Sequence, residues 1–203
     1  MTDMPVTLAI DTAAPRLQLG LLRADGRADS LVDHVATGHA ELLFERLGEL
    51  LARNGLGHGD IARIAVTTGP GSFTGLRIGL SAARGLGLAR KLPVIGVPSL
   101  LGLSLSASGP VAVLLDARRS EAYLQLFSGP GVAETPARLM PMVEAQAAVP
   151  AGYPLITEPF VDITAIARFA ASADAADYPP NAAYVRDADA KPQTAARIPR
   201  LGA

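Results

Sequence analysis

One short pattern occurs twice in this chain, once in each half: an apolar strand, an aspartate at its end, a tight turn and an apolar return strand. Leu8 to Leu22 reads LAIDTAAPRLQLGLL and Val113 to Phe127 reads VLLDARRSEAYLQLF. Asp11 aligns with Asp116, Leu19 with Leu124 and Leu21 with Leu126. Runs this short and this apolar, bounded by turn residues, are buried strands. A hairpin duplicated in this way implies two related lobes facing each other, each with a carboxylate at the end of its first strand.

The first copy opens a regular alternation of elements. Strands are expected at Val6 to Ile10, Arg16 to Leu22 and Ala28 to Val35, separated by turn signals at Ala14-Pro15 and Asp25-Gly26. A helix follows, with Thr37 as N-cap, Glu41 in its positive first turn, and Leu43, Leu47, Leu50 and Leu51 at helical spacing before Asn54-Gly55 ends it. Ile61 to Thr68 is a strand, Phe73 to Lys91 a second helix and Pro93 to Val97 a further strand. This is a mixed α/β fold of two lobes with a duplicated β-meander and helices, divided at 1–100 and 101–203. In the second lobe, helices are expected at Met142 to Val149 and Asp162 to Ala173 and a strand at Tyr153 to Thr157. From Asp174 the Pro- and Ala-rich tail is expected to be extended or partly disordered.

Composition removes several function classes. The chain has 203 residues, 49% hydrophobic and 18% charged, which suits a folded domain rather than a disordered one. With no cysteine there is no disulfide framework and no thiolate metal site, and a cytosolic location is expected. The opening MTDMPVTLAIDTAAP lacks the basic region of a signal peptide. No apolar run reaches the ~18 residues of a membrane span. Lys and Arg number 18 against 19 Asp and Glu, so no global charge draws the chain onto a polyanion. Arg84, Arg90 and Lys91 form a small basic group best read as a solvated helix end.

The bend Gly69, Pro70, Gly71, Ser72, Phe73, Thr74, Gly75, between a strand and a helix, invites a phosphate-binding reading. It fails in detail. A P-loop needs two glycines with four residues between them, followed by Lys and Ser/Thr, whereas Gly75 precedes Leu76 and Arg77. A dinucleotide fingerprint needs glycine where Thr74 stands, and Pro70 removes an amide donor. A tight turn with close helix packing is the preferred reading. Gly75, Gly79, Gly85 and Gly87 within one helix cost about 1 kcal/mol each relative to alanine, so a close helix-on-helix contact is expected to offset them.

Catalytic candidates are few. His34 and His39 are spaced wrongly for a helical metal pair, and His58 stands alone. Two residues before Ser72 stands Pro70, where a hydrolase elbow needs glycine. Asp11 and Asp116 remain, the pair a kinase or hydrolase of a nucleotide-splitting fold would use. Thr12, Ala13 and Ala14 follow the first and Ala117, Arg118 and Arg119 the second, and the added Cβ atoms would obstruct a phosphate pressed against the backbone. The scaffold therefore reads as one that has lost its phosphate loops, with Asp11, Thr12, Asp116 and Arg118 as vestigial positions.

Four separated blocks now carry a resemblance: LAIDTA, TTGPGSFTGLRIGLSAARGLGLA from Thr67, VPSL from Val97 and LLDARRSEAY from Leu114. Over about the first 127 residues the chain resembles the TsaB family of tRNA threonylcarbamoyladenosine biosynthesis proteins, once grouped with glycoproteases. Only Tyr184-Val185-Arg186 resembles the family beyond that. The resemblance implies an actin-like, sugar-kinase-like (ribonuclease H-like) fold and a non-catalytic scaffold. Its implied partner is TsaD, the metal-containing enzyme that transfers the threonylcarbamoyl group to the adenosine beside the anticodon, with the ATPase TsaE joining them. It also implies homodimers when TsaD is absent, tRNA contact only through the complex, and ATP, ADP and metal only in the partner subunits. The helices His39 to Asn54 and Phe73 to Arg90 match those that pair with TsaD, which carries the interface onto Leu43, Leu47, Leu50, Phe73, Leu76, Leu80 and Ala83.

Overall fold

The computed structural model describes residues 4–35 and 38–183. Thr37 and Tyr184-Val185-Arg186 lie outside the described residues. Strands β1 (Thr7–Asp11), β2 (Leu17–Leu22) and β3 (Ala28–Asp33) form the expected meander. Helix α1 (His39–Arg53) starts behind Gly38, whose φ of +88° needs glycine and supplies no side-chain cap. Strand β4 (Arg63–Gly69), helix α2 (Phe73–Arg90) and strand β5 (Val94–Pro98) complete a sheet ordered β3-β2-β1-β4-β5, with β1, β4 and β5 parallel.

After a short helix α3 (Ser99–Ser104) the plan repeats. Strands β6 (Val111–Arg118) and β7 (Glu121–Gly129) form the second hairpin, followed by β8 (Val132–Ala133), β9 (Arg138–Pro141), helix α4 (Met142–Ala147), strand β10 (Leu155–Ile156) and helix α5 (Ile163–Ser172). The second sheet runs β10-β6-β7-β8, with β9 also on β7. In both sheets the hairpin's first strand lies between its antiparallel return strand and a later parallel strand, which is the duplicated actin-like arrangement. The expected strand at 153–157 shrinks to Leu155–Ile156.

The two faces of the first sheet are covered by different parts of the chain. Leu8, Ile10, Leu19 and Leu21 pack with Leu43, Leu47, Leu50 and Leu80 of α1 and α2. Ala9, Ala65, Ile95 and Val97 pack instead with Val113 and Leu115 of the second sheet and with Ile163, Ile166 and Ala170 of α5. One apolar core thus runs between the lobes. Gly20 makes it possible, since a Cβ there would lie 2.7 Å from the carbonyl oxygen of Ile163. Residues 174–183 are irregular but tied down: Gly96 N–H donates to the Tyr178 carbonyl (2.8 Å) and Ala183 N–H to the Thr68 carbonyl (2.8 Å).

Candidate functional site

The glycine-rich bend is stitched to the segment after β1. Ser72 is the N-cap of α2, its Oγ accepting from Gly75 N–H at 3.2 Å. Its own N–H donates to the Ala13 carbonyl at 2.7 Å, and Thr12 Oγ1 donates to the Gly75 carbonyl at 2.7 Å. A Cβ on Gly75 would stand 1.8 Å from the Thr12 carbonyl oxygen, one on Gly71 2.7 Å from that of Ala13, and one on Gly79 2.6 Å from Thr12 Oγ1. The α2 glycines therefore serve close approach to the β1 end, not to another helix as their pattern suggested. Gly87 instead makes room for the Val94 side chain at the start of β5, while Gly85 faces open space and nothing in the structure explains it.

Asp11 sits at the centre of this knot. Its carboxylate accepts from Thr67 Oγ1 at 2.5 Å, Gln18 Nε2 at 3.0 Å and Ala13 N–H at 3.0 Å. Burial pushes its pKa above the ordinary carboxylate value, against the pull of those hydrogen bonds and of His39. Asp116 differs. It is exposed, and its Oδ1 accepts from Arg118 N–H at 2.7 Å in a turn where Arg118, Arg119 and Ser120 all have left-handed φ (+63°, +54°, +61°). Both aspartates line one cleft between the lobes, of about 380 Å³, but Asp11 is consumed by internal donors. The cleft presents Ala13, Ala14, Ala117 and Pro70, whose side chains stand beside the bare backbone of Gly71 and the guanidinium of Arg118. Among the described residues no three or more His, Cys, Asp or Glu side chains gather where they could hold a metal ion.

The helix pair requires a correction. Leu43, Leu47, Leu50, Leu76, Leu80 and Ala83 are all buried inside this chain, Leu80 to 4% exposure, with all but Leu76 in the core between the helices and the first sheet. Leu43 alone of these six also lines the groove on the outer side of the helices. Of the residues assigned to that interface only Phe73 is at the surface, 55% exposed. The outer face is made by Ala40, Phe44, Thr74, Arg77, Ile78 and Ser81 around a groove of about 540 Å³. Phe44 is 53% exposed, and the Arg77 guanidinium lies 3.7 Å over the Phe73 ring. The signal was Phe44 itself, an aromatic residue lying off the leucine stripe of α1.

The basic group at the end of α2 is structural. Arg90 donates to the His58 and Gly59 carbonyls, Arg84 to Pro180 and Asn181, and Lys91 takes the left-handed position that ends the helix. Among the described residues no helix is long and apolar enough to cross a membrane.

Residues 33–131 match the family model of TsaD, described as tRNA N6-adenosine threonylcarbamoyltransferase. The chain is 36% identical over 121 residues to the tRNA threonylcarbamoyladenosine biosynthesis protein TsaB of Escherichia coli K12, covering 57% of this chain and 52% of that protein. It is 32% identical over 123 residues to TsaB of Bacillus subtilis 168, covering 59% and 54%. The chain spans about half the length of the curated relatives it matches. YeaZ from Pseudomonas aeruginosa superposes with a TM-score of 0.71 at 26% identity, covering 82% of this chain and 92% of that one. Sequence and fold together make the chain a TsaB-like protein.

Proposed function

We propose that this chain serves tRNA threonylcarbamoyladenosine biosynthesis as a non-catalytic subunit that docks a TsaD-type transferase on the outer face of α1 and α2. The observation that carries the reading is that face. Two half-exposed phenylalanines, Phe44 and Phe73, flank an apolar groove whose lining has one charge, Arg77. Aromatic and arginine residues around an apolar patch are the usual anchors of a protein interface. The likeness to TsaB proteins supports the choice of pathway. The consumed carboxylate of Asp11 supports a role without chemistry, against a kinase or hydrolase acting through Asp11 and Asp116.

In this reading TsaE joins through the transferase, the free chain pairs with itself over the same face, and tRNA, ATP and metal are handled by the other subunits in the cytoplasm. Size-exclusion chromatography with light scattering tests it, using the chain alone and mixed with the TsaD-type protein of its own organism. A 1:1 complex lost in Phe73→Glu and Phe44→Glu, with both variants still folded, is the expected result. A complex that survives both substitutions removes this face from the proposal, and turnover of ATP by the pure chain removes the non-catalytic role.

A further inference from the structure

The cleft between the lobes carries polar groups that the fold leaves wholly or partly unused. Ser99 lines it, is 5% exposed, and has a buried hydroxyl oxygen without a hydrogen-bond partner. A buried hydroxyl left in that state is destabilising unless a bound group meets it. Tyr123 and Thr157 line the same cleft, and neither side-chain hydroxyl makes a hydrogen bond among the described residues. Ser72 uses its oxygen as an acceptor for Gly75 N–H, which leaves its hydroxyl proton free to donate. Asp116 and Arg118 stand at the rim, exposed, with no ion pair to either among the described residues. Arg118 belongs to three successive left-handed residues, a conformation that non-glycine residues adopt at a cost and that gathers near functional sites.

These groups form a chemically balanced set. Arg118 only donates, Asp116 only accepts, and the four hydroxyls of Ser72, Ser99, Tyr123 and Thr157 do both. Asp11 and Asp116 against Arg118 leave the cleft with no excess of positive charge to collect an anion. Between the polar groups the wall is apolar, made by Leu103, Leu115, Pro159 and Val161. A volume of about 380 Å³ lies at the lower end of small-molecule sites.

We infer that this cleft binds an uncharged, polyhydroxylated molecule of sugar or nucleoside size that carries no phosphate. Hydroxyl groups both donate and accept, as the lining does, and a ring or base lies against the apolar wall. The site shares no residue with the helix-pair groove, so it stands or falls apart from the docking role.

Isothermal titration of the full chain with ribose, adenosine and Mg-ADP tests the inference, with ¹H–¹⁵N spectra to locate the response. The expected result is saturable binding of ribose or adenosine at one site, with shifts centred on Ser72, Ser99 and Tyr123. Ser99→Ala, Tyr123→Phe and Arg118→Ala each weaken it by about tenfold, as loss of one good hydrogen bond would. Arg118 is exposed, so its variant folds even if substitution of Ser99 disturbs the core. Tighter binding of adenosine than of ribose assigns a nucleoside, and equal binding assigns the sugar ring. The inference is overturned if neither neutral probe saturates the chain, if all three variants bind as the wild type does, or if Mg-ADP binds at least tenfold tighter than adenosine.

Discussion

The hydroxyl of Thr67, near the end of β4, donates to the carboxylate of Asp11, at the end of β1, across 2.5 Å with both side chains buried. Thr67, Gln18 and the Ala13 amide together surround an acid that the duplicated hairpin offers as a catalytic candidate. Asp11→Ala would leave the Thr67 hydroxyl and the Gln18 amide buried without that partner. Chemical denaturation is expected to show a loss of about 2–4 kcal/mol. No change in stability would mean the knot is unimportant to the fold.

Asp11 also sets a pH dependence. Burial raises its folded-state pKa above the unfolded value of 3.8, so the folded state binds the proton more tightly. The corresponding stability is fully present below pH 3.8 and is lost as pH rises through the raised value. Asp11→Asn, neutral at every pH, is expected to remove that component. Urea titrations of both proteins at a series of pH values check it, and parallel stability curves would contradict the assignment.

Two glycines of one helix are predicted to respond in opposite directions. Gly75→Ala must push its methyl into the Thr12 carbonyl and is expected to cost more than about 3 kcal/mol, since backbone has to move. Gly85→Ala meets nothing within 4 Å and is expected to stabilise by about 1 kcal/mol through helix propensity. Thermal melts of the pair provide the comparison.

The helix pair predicts a contrast between its two sides. Leu80→Glu places a charge in the closed core and is expected to cost several kcal/mol or abolish folding. Phe44→Glu, on the outer face, is expected to change stability by less than about 1 kcal/mol while removing association. Circular dichroism melts beside light scattering separate the two effects.

That contrast shows where the sequence was readable. The strands of the first sheet, both long helices and the repeated hairpin are carried by local apolar period, and they appear within a few residues of their expected places. The leucines of α1 were legible as a buried stripe, but a stripe does not say which layer covers it. Leu43 and Leu47 turned out to cover their own sheet, and the exposed aromatic off the stripe, Phe44, marked the outer face. Helix α3 was missed because all six of its residues are buried, leaving no alternation to read. The partners of Gly75 and Asp11 were invisible because Thr12 and Thr67 lie far off in the chain, and close approach leaves no local pattern.

The placement of α5 has a consequence for synthesis. A ribosome delivers β1 to β5 early, but Ala9, Ala65 and Val97 keep one apolar face uncovered until Ile163 and Ile166 emerge. The first half therefore waits on α5, and during that interval its open face is the part of the nascent chain most in need of a chaperone.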